Sequence, residues 1–162
     1  MNVNIRTANI EDLQAITAVE SICFPQEEAA SESDFKKRLS MYSNHFWLLE
    51  DDGKLVGFVN GMVTNESKLS DEMFEDANLH NENGQWQMIF GVNTIPEYRR
   101  QGCAEKIINK VIEDTKAQGR KGLVLTCKEK LLHYYAKFGF KNEGISESTH
   151  GGAVWYDMRL TF

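Results

Sequence analysis

The strongest constraint in this chain is a change of hydrophobic period between Gln85 and Cys127. Trp86, Met88, Phe90 and Val92 alternate with their neighbours, so they share one face of a strand over Gln85 to Asn93. After Pro96 and a turn to Gly102 the period lengthens. Ile107, Ile108, Val111 and Ile112 form the apolar stripe of a helix over Ala104 to Gln118, and Gly119 suits the position just past its end. Gly122 to Cys127 follows as a short apolar strand. A strand, a glycine-bearing turn, an amphipathic helix and a second strand in succession call for a sheet covered by helices.

The flanks extend that pattern. Asn2 to Thr7 alternates as a first strand, and Asn9 caps a helix over Ile10 to Cys23 that Pro25 stops. A second helix is expected over Ser33 to Ser40. Phe46 to Glu50 and Leu55 to Val63 read as a hairpin about Asp52-Gly53. Asn65 to Gly84 is polar and reads as a mobile insert. A short helix over Leu131 to Lys137 and strands over Asn142 to Ser148 and Ala153 to Leu160 complete the chain. With 162 residues and no internal repeat, residues 1–162 are expected to form a single mixed α/β (α+β) domain.

Composition removes several classes. Eighteen Lys and Arg oppose twenty-four Asp and Glu, a net charge of −6, which argues against a general nucleic-acid binder. No stretch approaches the roughly 20 apolar residues that a bilayer span requires. Met1 to Asn9 lacks the apolar run of a signal peptide, so the expected location is cytoplasmic, away from membranes. Cys23, Cys103 and Cys127 are far apart and odd in number, and His45, His80, His133 and His150 are dispersed. Neither a disulfide framework nor a metal site is expected.

The chemistry concentrates in Ile95 to Ala104, where a strand runs into a helix. A helix start offers unpaired N–H groups and the positive end of its dipole. Gly102 permits backbone angles closed to other residues, Ala104 is small, and Arg99 and Arg100 add positive charge. Such a turn suits a phosphate or pyrophosphate. It is neither GxxxxGK[ST] nor GxGxxG. The bland alternative is an ordinary helix start with surface arginines.

Arg99-Arg100-Gln101-Gly102-Cys103-Ala104 resembles the R/Q-x-x-G-x-G/A pyrophosphate signature of the GNAT superfamily of acetyl-CoA-dependent N-acetyltransferases. About thirty residues on, Tyr134 to Phe140 resembles that family's F-Y-x-x-x-G-F segment. Within the superfamily the chain is most similar to the arylalkylamine (serotonin) N-acetyltransferase branch. Cys127 and, eight residues later, Tyr135 share its spacing, as does the body from Leu48 to His80.

The resemblance implies a mostly antiparallel seven-stranded sheet with helices on both faces and a splayed central strand pair. Acetyl-CoA would be the cosubstrate, with no metal. Its pantetheine arm would lie between Gln85–Ile95 and Gly122–Cys127, against backbone near Val92, Asn93 and Thr94. Its pyrophosphate would sit on Arg99, Arg100, Gln101, Gly102, Cys103, Ala104 and Glu105. An N–H near Asn93 or Thr94 would polarise the thioester carbonyl.

The implied reaction is direct attack by a neutral primary amine, a small molecule being favoured, with Tyr135 protonating the leaving thiolate. Tyr134 reads as packing, and Cys127, among apolar neighbours, as inert. The branch relays the amine proton through two histidines, yet Met88 and Phe90 stand at those positions. Glu27, Glu28, His80 and His150 are the candidates to replace them. Glu27 and Glu28, after the first helix, are also expected to border the amine site. A homodimer is among the assemblies that the resemblance implies. A second reading keeps the fold and ligand and drops the chemistry: a non-catalytic acyl-CoA sensor or partner module.

Overall fold

The computed structural model describes residues 1–162. Nine strands, β1 (Val3–Thr7), β2 (Phe46–Asp51), β3 (Lys54–Asn60), β4 (Val63–Thr64), β5 (Trp86–Ile89), β6 (Gly91–Thr94), β7 (Gly122–Cys127), β8 (Lys141–Ile145) and β9 (Tyr156–Thr161), form two sheets. The orders are β1-β2-β3-β6 and β4-β5-β7-β9-β8. Every pairing is antiparallel except β5 with β7. The seven expected strands become nine because two of them break. Leu55–Val63 divides into β3 and β4, and Gln85–Asn93 divides at Phe90 into β5 and β6.

The break at Phe90 makes the splay. Phe90 donates its N–H to the Asn60 carbonyl while Gly91 is already opposite Asn60, so two residues face one, as in a β-bulge. Before the bulge β5 runs beside β7; after it β6 turns to β3. Thr126 and Cys127 therefore pair only with β9, and a gap opens between them and β6.

Five helices, α1 (Leu13–Cys23), α2 (Glu32–Tyr42), α3 (Asp71–Glu75), α4 (Cys103–Ala117) and α5 (Leu132–Ala136), complete the fold. Successive strand residues face opposite ways. Phe58 of β3 meets Phe35 of α2 edge-on at 5.9 Å, and at the neighbouring Gly57 an added Cβ would lie 3.3 Å from Ile107 of α4. The helices thus cover both faces. Asn9 and Ser31 each close a capping box; Ser31 starts α2 earlier than its sequence suggested.

The expected mobile insert is anchored. Within Asn65–Gly84 the side chains of Leu69, Met73 and Ala77 enter the core, and α3 forms part of the cleft wall. No helix is long and apolar enough to cross a membrane.

Candidate active site

Arg100 has φ 62° and Gly102 φ 80°, so the chain turns through the left-handed region twice before α4 begins. Gly102 fits that angle, and nothing lies within 4 Å of where a Cβ would stand. No side chain caps α4. Six consecutive amides, Arg100 to Glu105, meet no acceptor in the protein. They form a concave row of N–H dipoles at a helix start, the electrostatic complement of a diphosphate. Arg99 is exposed and donates Nε–H to the Thr94 carbonyl at 2.9 Å, pinning the turn to β6. Gln101 donates to the Glu97 carbonyl at 2.9 Å. The Cys103 side chain is buried, so only its backbone faces a ligand.

On β6 the residues alternate. Ile95 donates its N–H to the Val56 carbonyl on β3, which turns Asn93 toward β3 as well. The backbone groups of Val92 and Thr94 therefore face the gap. Asn93 departs from the sequence expectation: its backbone faces β3, and its fully buried side chain donates to Glu20 at 2.8 Å, leaving unpartnered only Oδ1, which cannot donate to a thioester oxygen.

A cleft of about 590 Å³ continues from this gap, lined by residues of both central strands, α1, α2, α3, α5 and the β8–β9 loop. Tyr135 stands on its wall, 7% exposed, and its hydroxyl has no protein partner. Burial raises its pKa, so the phenol stays protonated at neutral pH. Tyr134, one residue back, stacks edge-on with Phe138 at 5.4 Å. The Cys127 thiol is pushed up to about 11 by burial and contacts Met158 Sδ at 3.5 Å, as an inert thiol should.

The candidate proton acceptors separate. Glu27 is exposed and does not reach the cleft wall, contrary to expectation. Glu28 lines the cleft with its carboxylate held by Lys128 at 2.8 Å. His80 lies outside the cleft, its Nδ1 accepting the Val63 N–H at 3.0 Å and its Nε2–H donating to Glu82 at 2.9 Å. The same Glu82 meets the buried His45 at 3.0 Å. These three residues are close enough to surround an ion. The Val63 amide nevertheless keeps the His80 proton on Nε2, where a metal would need a lone pair.

His150, in the β8–β9 loop, remains. Its Nε2 lies 2.9 Å from the Glu28 carbonyl, which can only accept, so Nε2 carries the proton and Nδ1 keeps its lone pair. The ring stacks on Phe74 at 5.2 Å and 9°.

Two cleft residues carry no signal in the sequence. Glu20 of α1 is buried; burial raises its pKa against the pull of hydrogen bonds from Ala30 and Asn93. Arg38 of α2 lies over the rings of Phe74 and Phe90, which pack on each other at 4.6 Å. Helical periodicity marks Arg38 only as a break in an apolar face, and Glu20 as an ordinary surface acid. Of the two positions where the serotonin branch has histidines, Met88 is sealed in the core and Phe90 faces the cleft beneath Arg38.

Residues 12–140 match the Acetyltransferase (GNAT) family, and the chain belongs to that family. Human N-acetyltransferase 8 is 25% identical over 114 residues, covering 68% of this chain and 44% of that protein. Serotonin N-acetyltransferase of Mesocricetus auratus is 24% identical over 112 residues, covering 68% and 53%, in keeping with the branch named from the sequence. The chain thus spans about half the length of these curated relatives. Among solved structures, the loading GNATL domain of CurA from Lyngbya majuscula superposes with a TM-score of 0.85 at 17% identity, covering 99% of this chain and 98% of that one. The ribosomal-protein-S18-alanine N-acetyltransferase of Escherichia coli gives 0.75 at 18%, covering 98% and 93%. Both likenesses are of fold.

Proposed function

We propose that the protein transfers the acetyl group of acetyl-CoA to a primary amine by direct attack within a ternary complex. The observation that carries this reading is the row of unpartnered amides from Arg100 to Glu105 at the mouth of the splayed strands. A structural neighbour, the PaiA N-acetyltransferase of Thermoplasma acidophilum, was solved in complex with coenzyme A and superposes with a TM-score of 0.75 at 16% identity, covering 100% of both chains.

In this reading the diphosphate rests on those amides, and Arg99 and Arg100 supply positive charge around it. The pantetheine arm pairs with the gap-facing backbone of Val92 and Thr94. One of their N–H groups donates to the thioester oxygen as negative charge gathers there. The amine nitrogen attacks the carbonyl carbon and the C–S bond breaks. The Tyr135 O–H gives its proton to the sulfur, and the proton lost by nitrogen passes to His150 Nδ1. The wall sets the carboxyl groups of Glu20, Glu28, Asp34, Asp71 and Glu75 beside the cations Arg38, Lys128 and Lys130, which suits an acceptor with charged groups.

The test pairs a thermal melt with thiol release. Acetyl-CoA should raise Tm, since a ligand of the native state stabilises it, and a panel of primary amines should release free thiol. His150→Gln should flatten the acid limb of the rate profile, where a base loses activity by protonation. A raised Tm without thiol release on any amine favours the non-catalytic module; no rise with any CoA ester overturns both readings.

A further inference from the structure

Six arginines occur in the chain. Arg6, Arg120 and Arg159 each hold carboxylates, of Asp12 and Glu50, of Glu82, and of Glu143. Arg99 and Arg100 are exposed. Arg38 alone is buried, 4% exposed, with no carboxylate at ion-pair distance. Its Nη1 donates to Asn60 Oδ1 at 3.2 Å and its Nη2 to the Phe74 carbonyl at 3.0 Å, while the buried Nε–H has no acceptor. The guanidinium stands 5.2, 5.9 and 5.0 Å from the ring centres of Phe35, Phe74 and Phe90. Three aromatic faces attract a cation, yet less strongly than water does, so a guanidinium stripped of solvent still calls for an anion.

Arg38 lines the cleft, its unpartnered Nε sealed beneath the surface and the Glu20 carboxyl within electrostatic reach but not paired with it. We propose that Arg38 anchors a carboxylate subsite, and that the acceptor is an amine bearing a carboxylate, an amino-acid-like zwitterion with an apolar or aromatic side chain. The proposal rests on the transferase reading above and names its substrate class. Arg38 and His150 both pack on Phe74, at 5.9 and 5.2 Å, so one small molecule can meet both groups. Glu20 lies near enough to each for its proton affinity to be lowered by both. The amine end then lies toward His150 and the carboxylate end against Arg38. Phe24, Phe74, Phe90 and Trp155 supply apolar wall for the side chain.

A carboxylate could also arrive on the acyl group, and the test separates the two sources. With acetyl-CoA as donor, kcat/KM for L-phenylalanine is expected to exceed that for phenethylamine by about ten- to a hundredfold, the worth of a charge-assisted hydrogen bond. Arg38→Met should bring that ratio to about one, and Arg38→Lys should restore part of it. A second readout needs no variant: the Arg38 Nε–H resonance of the wild-type protein should move with L-phenylalanine and stay in place with phenethylamine. If malonyl-CoA moves it and L-phenylalanine does not, the carboxylate belongs to the acyl donor and the acceptor assignment is overturned. Equal rates on both amines, with an unmoved resonance, overturn the subsite and leave the transferase intact. Absence of thiol release with any amine overturns the transferase, while the resonance still reports on Arg38.

Discussion

In the proposed reading the coenzyme half of the site is made of backbone and comes from two neighbouring segments, β6 and the turn into α4. The acceptor half of that reading is the cleft, made of side chains drawn from α1, α2, α3, α5, the central strands and the β8–β9 loop. The first half needs a positive φ at Gly102 and a row of unspent amides, and its residues there are largely exposed. The second holds Glu20, Arg38 and Tyr135, all buried, and its wall mixes both signs of charge. Backbone recognition is generic: any chain that makes this turn offers it. Side-chain recognition is particular to this chain, and the proposed reading puts the choice of acceptor there.

The sharpest way to separate the halves is Tyr135→Phe. Removing a general acid should lower kcat by about 10²–10⁴-fold with the dissociation constant of acetyl-CoA unchanged; stopped-flow and equilibrium titration measure the two. An unchanged kcat would take Tyr135 out of the chemistry. Next comes Gly102→Glu, which brings a carboxylate to the anion cradle. Acetyl-CoA affinity should fall about 100-fold, since like charges in contact cost several kcal/mol. Undiminished binding by calorimetry would place the diphosphate elsewhere.

Smaller effects come from two carboxylates in opposite environments. Glu82 lies outside the cleft. Burial opposes its ionisation, but hydrogen bonds from His45 and His80 outweigh that and hold it down at about 2. Its stabilisation is complete above the ordinary value of 4.5 and is lost as pH falls toward about 2. Glu82→Gln should cost about 1–2 kcal/mol at pH 7, roughly 2–8 °C in Tm, with kcat unaltered, and the gap should narrow in that acid window. Glu20 behaves in the reverse sense. Its raised folded-state pKa makes the native protein bind protons more tightly than the unfolded chain, so stability falls as pH climbs from 4.5 through the raised value. Relative to Glu20→Gln, wild-type Tm should decline over that range; a parallel pair of curves would show that Glu20 is not desolvated.

The same contrast explains what was legible in the sequence. The Asp52-Gly53 hairpin, the α4 stripe and the turn at Gly102 are local, and short-range physics writes them into consecutive residues. The break of one strand into β5 and β6 was hidden, because Phe90 keeps the apolar alternation going through the bulge. Glu27 and Glu28 were paired by adjacency, yet only Glu28 reaches the cleft, and Lys128, a hundred residues on, holds it. Arg38 was silent for a related reason. Nothing near it in sequence says that Asn60, Phe74 and Phe90 will converge on it, or that no carboxylate will.

A backbone cradle for the coenzyme diphosphate can be watched amide by amide, by titrating acetyl-CoA into ¹⁵N-labelled protein. The amides from Arg100 to Glu105 should shift furthest, with Val92 and Thr94 following and Asn93 moving least of the three on β6. Resonances from Arg100 to Glu105 that stay fixed at saturating acetyl-CoA would mean that the diphosphate does not bind there.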